Sequence, residues 1–236
     1  MESKYHKFLH DPGVDIDPVF ERKLIDLFRK ISLYLNRRDL DFEVHVGDSG
    51  NPHRQVAWTS GFRMAIHVKS HIPATIPIFL DEDTPMEYYA FLIFHEYGHT
   101  QYAPENGIVP WAVLKLLERE GYSRFDRTME IANLVTDIII NVSMLYLPDL
   151  DKIGLENKPL FKSKFKIEMG KDIETQDDRW DFYRWHKWYY MGKVGNAPKP
   201  DLAPYMDKLF ANRKKPVYVW KDEFYELFKE IVKRWA

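Results

Sequence analysis

The sequence contains no cysteine. That removes disulfides, thiolate nucleophiles and every thiolate-ligated metal site, and leaves histidine and carboxylates as the side chains able to hold a metal ion. It also lacks an excess of charge of either sign. Lys and Arg number 34 against 36 Asp and Glu, a net charge of −2, so no global field draws the chain to nucleic acid or to an anionic membrane surface. No run of about 18 apolar residues occurs. The longest apolar stretch, 131–147, is interrupted by Asn133, Asp137 and Asn141, too polar for a membrane span. The opening Met1-Glu2-Ser3-Lys4-Tyr5-His6 leads into mixed charged sequence without the apolar core of a signal peptide, and a cytoplasmic protein is expected. Glycine-rich phosphate loops, nucleophile elbows and internal repeats are missing as well.

What is present suffices for a globular core: 45% of the 236 residues are hydrophobic and 15% aromatic, enough for one large domain or two small lobes. Asp17-Pro18 is a cap followed by a proline at the first helical position, and Val19, Phe20, Leu24, Leu27, Phe28, Ile31 and Leu35 recur behind it at helical spacing, which predicts an amphipathic helix up to Asn36. Between Asp41 and Asp81 the period drops to two. Phe42, Val44 and Val46, then Met64, Ile66 and Val68, then Ile76, Ile78 and Leu80 predict three or four short strands in a small sheet. On that alternation His45 and His67 fall opposite the apolar residues, on a solvated face.

Thr84-Pro85-Met86-Glu87 reads as a cap, a helix-opening proline and a capping-box glutamate. The helix it predicts carries Phe91-Leu92-Ile93-Phe94-His95-Glu96-Tyr97-Gly98-His99, and so the pattern H-E-x-x-H. His95 and His99 stand one turn apart on one face, where both rings can reach a single zinc ion, while Glu96 is offset towards a water on that ion. Given nine histidines in the chain, shuffling yields this string in roughly two of every hundred cases. Its position on a buried helical stripe with Tyr88, Phe91 and Leu92 adds weight, because core histidines would each need a separate partner.

A second helix, expected over 125–147 and stopped by Pro148, carries Glu130, Asn133, Asp137 and Asn141 on one narrow stripe. No Lys or Arg occurs between Arg127 and Lys152, whereas solvated helix faces usually carry long charged side chains. The stripe reads as a buried polar surface with something to bind. Further helices are expected over 111–120, 177–190 and 220–235, with a rigid proline-rich linker over 196–204.

With both helices in hand, the chain resembles the zincin metallopeptidases, specifically the gluzincin-like group whose third zinc ligand comes from a later helix. The resemblance covers roughly 76–141. It implies an α+β fold: a small mixed sheet, then the zinc-binding helix, then a helical C-terminal lobe, with a catalytic core over 1–150 and an aromatic-rich lobe over 151–236. A metzincin continuation is absent, since 100–107 contains no histidine. Gluzincins usually present a glutamate ligand four residues before an aspartate, but Asn133 stands four before Asp137. The run Asn133 to Asn141 is similar instead to an N-x-x-x-D-x-x-x-N signature of poorly characterised intracellular metallopeptidases. Neutral Asn is a poor zinc ligand beside a carboxylate, so Asp137 is the expected third ligand, with Asn133 and Asn141 orienting it and Glu130 as the competing ligand.

The resemblance implies one zinc ion per chain, held by His95, His99 and Asp137, with Glu96 as general base in peptide-bond hydrolysis. His186, Tyr102 and Tyr183 are candidates for stabilising the oxyanion. A peptide or protein substrate pairs, in zincins, with an edge strand, here expected at 74–80. No nucleic acid or membrane partner is implied. Two rival readings stand beside this one: a catalytically silent zincin-fold module that binds a partner, and hydrolysis of a non-peptide amide.

Overall fold

A computed structural model of the chain describes residues 6–37, 39–49, 57–60, 63–71, 79–101, 137, 140, 141, 144 and 147–169. The helices expected over 111–120, 177–190 and 220–235 lie outside them, as does most of the strand expected at 74–80. Within the described residues the architecture is α+β. Strand β1 (His6–His10) precedes helix α1 (Pro18–Tyr34), followed by β2 (Asp41–Val46), β3 (Ala57–Ser60) and β4 (Arg63–Val68), helix α2 (Met86–Gln101), a short 3₁₀ turn (Leu150–Ile153) and helix α3 (Asn157–Met169). Contacts group the chain into two compact units: Met1–Thr100 with Leu147–Thr175, and Gln101–Tyr146 with Gln176–Ala236.

The four strands form one mixed sheet in the order β1-β2-β4-β3. β1, β2 and β4 run parallel, and β3 pairs antiparallel with β4. Among the described residues, β1 and β3, two short strands beyond those named from the alternation, flank β2 and β4. The parallel pairing of β1 with β2 needs a crossover, and α1 supplies it. Asp17 caps that helix, its carboxylate accepting from the Val19 amide at 2.8 Å with Pro18 at the first position, and the chain leaves the helix through Asn36 at φ 51°.

The apolar side of α1 (Phe20, Leu24, Leu27, Phe28 and Ile31, each at most 5% exposed) packs on one face of the sheet. Phe28 and Phe42 are fully buried and stack with centroids 4.6 Å apart, and burying a side chain of this size is worth roughly 1.5–3 kcal/mol. Val19, apolar by type, is 48% exposed at the helix start.

The other face of the sheet departs from the simple alternation. β2 and β4 are buried on both sides, so Glu43 and His67 are only 2% and 1% exposed. The expectation that His45 and His67 are solvated does not hold. Strands paired in parallel are commonly covered on both faces, and here the covered face is polar. His45 lies directly opposite His67 in the β2–β4 register, with rings 4.9 Å apart. Glu43 takes hydrogen bonds from His45 Nε2 at 3.2 Å and from the Arg63 guanidinium, with the Lys7 ammonium 4.0 Å away. Burial alone raises the Glu43 carboxyl, but the hydrogen bonds from Arg63 and His45 outweigh it and hold the group below its ordinary value.

At the carboxyl end of β2, Gly47 adopts φ +108°, and a Cβ there would stand 2.3 Å from Asp11 Oδ2. Asp11 is held in place by the Ser49 hydroxyl and by the Ser49 amide at 2.9 Å. Gly47→Ala combines a disfavoured backbone with a clash and should lower unfolding stability by roughly 1–3 kcal/mol, read as a reduced urea midpoint at unchanged slope.

Candidate metal centre

Helix α2 is apolar around its whole circumference in its first half. Tyr88, Tyr89, Ala90, Phe91, Leu92, Ile93 and Phe94 are each at most 6% exposed, the pattern of a helix driven through a core. Three anchors fix its entry. The Tyr89 hydroxyl donates to the Asp81 carbonyl at 2.8 Å, and burial raises that phenol above its ordinary range. Thr84 Oγ1 accepts from the Asp81 amide at 3.1 Å. Glu82 accepts from the Lys69 ammonium at 2.7 Å and from the Asp17 amide at 3.2 Å, tying the starts of α1 and α2 to one carboxylate. The helix begins at Met86, one residue later than the cap-and-proline pattern suggests.

The core then hands over to chemistry within the same helix. Phe91 stacks on His95 with an interplanar angle of 16° and centroids 6.2 Å apart. One turn further, His99 presents its ring edge to His95 at 87°, bringing the two Nε2 atoms to 3.2 Å. Glu96 and His99 are each 9% exposed. Two imidazole nitrogens bound to one tetrahedral zinc, each about 2.0–2.1 Å from it, lie about 3.3–3.4 Å apart. The Nε2 pair thus already has the spacing that a shared zinc imposes.

Asp137, Ile140, Asn141 and Met144 are helical. All four are buried, at 8%, 0%, 0% and 1% exposure. In the first unit His95 and His99 can offer two imidazole nitrogens to one ion, and in the second unit Asp137 is a buried carboxylate. Two nitrogens and one carboxylate oxygen form a donor set suited to zinc, with room for a fourth ligand. Glu130 and Asn133, the competing ligand and the other flanking amide, lie outside the described residues, as do Tyr102, Tyr183 and His186.

Sequence reasoning passed over α3. Its inward face is Leu160, Ser163 and Lys164, at 0%, 9% and 5% exposure, and the Lys164 ammonium lies 4.3 Å from the centroid of the Phe91 ring. Spacing of i, i+3 and i+4 was available as a signal, but a lysine in that pattern reads as solvated.

A cavity of about 250 Å³ at the carboxyl ends of β1 and β2 is bordered by His10, Asp11, His45, Gly47 and Ser49, and none of His95, Glu96 or His99 lines it. Nearby, Asp48 accepts from the His71 ring and amide and from the Ser70 hydroxyl, which together hold its carboxyl down at about 2. Both Asp48 and His71 are well exposed, and the hydrogen bonds account for the loop's shape. No helix among the described residues is long and apolar enough to cross a membrane. No family model, no curated protein and no solved structure matches the chain.

Proposed function

We propose that the chain is a zinc-dependent peptidase of zincin type, with His95, His99 and Asp137 as the metal ligands, one zinc ion per chain, and Glu96 as general base. The observation that carries this reading is the His95–His99 pair. Its 3.2 Å Nε2 separation on a buried helix matches the bite of a shared tetrahedral ion. A glutamate follows the first histidine directly, as the hydrolytic pattern requires. Asp137 is a buried carboxylate, a better zinc ligand than the neutral amides Asn133 and Asn141 on its stripe, which supports it as the anionic third ligand.

Zinc held there supplies a Lewis acid for the scissile carbonyl and acidifies a coordinated water. The remaining work falls to the chain. Glu96 accepts a proton from the attacking water and returns it to the leaving amine, so that one carboxylate serves as base and then acid. Its burial keeps the carboxylate in a medium of low dielectric, where proton transfer over a short distance is little disturbed by bulk water. The two imidazoles act as neutral donors, and the rigid aromatic packing of α2 fixes their orientation before any substrate arrives.

Metal analysis of protein purified without added metal tests the first half of this reading, with about one zinc per chain expected. An N–H···N hydrogen bond between two neutral imidazoles also gives a 3.2 Å approach. Protein free of metal, and unable to take it up, would assign the pair to that bond and leave a partner-binding module. The third ligand is tested by comparing Asp137→Ala with Glu130→Ala. The first should leave well under half a zinc per chain after dialysis and the second should keep it; normal metal content in Asp137→Ala would transfer the role to Glu130.

A further inference from the structure

A second pair of imidazoles lies on the polar face of the sheet. His45 on β2 and His67 on β4 stand directly opposite each other in the strand register, with ring centres 4.9 Å apart and planes tilted by 37°. Two imidazoles bound through nitrogen to one ion, each about 2.0–2.1 Å from it and at an angle of about 90–110°, place their ring centres about 4.5–5.2 Å apart. The His95–His99 rings, at 4.8 Å, stand at nearly the same spacing. Here, however, no hydrogen bond joins the two rings. His67 is 1% exposed, and neither of its nitrogens has a partner. Buried polar side chains are nearly always hydrogen-bonded, so two orphan nitrogens on one buried ring call for a water or an ion that they are placed to meet.

His45 carries the complementary feature. Its Nε2 donates to the Glu43 carboxylate at 3.2 Å, which fixes the tautomer and leaves Nδ1 as the nitrogen with the free lone pair. A carboxylate behind a histidine is the arrangement that orients imidazole ligands and raises their basicity at metal sites. His45 also borders the cavity of about 250 Å³ at the carboxyl ends of β1 and β2, which gives an ion a path of approach. The cations beside this face are balanced, Arg63 by Glu43, and Lys7 by Glu43 and by Asp41 at 3.9 Å.

We infer that His45 and His67 form a second metal site, separate from the His95–His99 pair, for a divalent late transition-metal ion, copper(II) above all, with solvent completing the coordination. The ion class follows from the donors. Two neutral imidazole nitrogens suit copper, nickel and zinc rather than calcium or magnesium, which take oxygen ligands, and copper(II) heads the affinity order for a given nitrogen site. The inference does not depend on zinc at His95 and His99.

The test is equilibrium dialysis of the full chain against copper(II) buffered with glycine, counting bound copper per chain in the unmodified protein, His67→Leu, His45→Gln and the double variant. Each single variant should lose the same one equivalent, and the double variant should lose no more than either. Affinity for that equivalent should fall at least about tenfold on removal of one ring, since even the loss of a group that only orients a ligand costs about 10–100-fold. Unchanged copper content in a folded single variant overturns the inference and assigns the orphan nitrogens to water. A double variant that loses two equivalents overturns it as well, because the rings would then be separate sites, as does failure of the unmodified protein to bind copper. Should His67→Leu lose the folded state, seen by circular dichroism, His45→Gln at the less buried position decides by the same count.

Discussion

Glu96→Gln should retain about one zinc per chain and lose peptide hydrolysis by roughly 10²–10⁴-fold. The substitution is nearly isosteric and removes the negative charge and with it the capacity to take up a proton. Glu96 is 9% exposed on a helix whose preceding turns are fully buried, so a neutral amide of the same shape costs little in packing. Metal content is the control that gives the result its meaning. Zinc retained with hydrolysis lost separates the general base from the ligands, whereas zinc lost with it would place Glu96 among the groups that hold the ion. Turnover of a broad peptide library reads the activity, and cleavage at the unmodified rate would sink the assigned mechanism. Uniform inactivity of the unmodified protein against such a library, with zinc bound, would favour the partner-binding module or hydrolysis of another amide. Small-molecule amides then discriminate between those two.

The second large effect concerns His67, far in sequence from the histidine pair. Its imidazole is 1% exposed, neither ring nitrogen has a hydrogen-bond partner, and the ring faces His45 at 4.9 Å. Burial, reinforced by the neighbouring His45, pushes its pKa down to about 4. An unfolded histidine takes up a proton below about 6.5. Between these values the unfolded chain binds more protons than the folded one, so acid favours unfolding. Stability from this group is complete above about pH 6.5 and falls as pH drops towards about 4, by roughly 3 kcal/mol over the window. Glu43 sits beside His45 and accepts from His45 and Arg63, and no hydrogen bond joins it to His67. His67→Leu should abolish this component. Urea unfolding at pH 7.0, 5.5 and 4.5 should show the variant gaining on the unmodified protein at each step down. An equal pH slope in both proteins would move the acid sensitivity to another group.

The elements with strong punctuation were readable. Asp17-Pro18 fixed the start of α1 because a capping carboxylate and a locked φ act locally, whatever the tertiary context. The two central strands were readable as well, since Phe42, Val44 and Val46 alternate cleanly, as do Met64, Ile66 and Val68. β1 and β3 were not. His6-Lys7-Phe8-Leu9-His10 and Ala57-Trp58-Thr59-Ser60 carry too few β-branched residues to stand out, and they become strands by pairing with β2 and β4. The polar face of the sheet failed for a related reason. Glu43, His45 and His67 look like a wet surface in one dimension, and only three-dimensional cover, with a hydrogen bond between His45 and Glu43, makes them interior. At the site, His95, Glu96 and His99 stood out because their chemistry is encoded within one turn of helix, and their 3.2 Å approach follows from that spacing. Lys164 was hidden because its contact is with a ring 73 positions earlier.

The strand order also bears on how the chain comes into being during synthesis. β1 leaves the ribosome before the other described strands, yet among them its partner is β2, which lies across the whole of α1, and β2 gains its other neighbour only when β4 has been made. Pairings this distant in sequence form slowly, because a long loop must close before any ladder bond rewards it. β1 therefore stays without its described partner until at least Val46 has emerged. In that interval Phe8 and Leu9 belong to a short unpaired strand, so chaperone capture during translation should centre on β1, well away from the helix that carries the histidines.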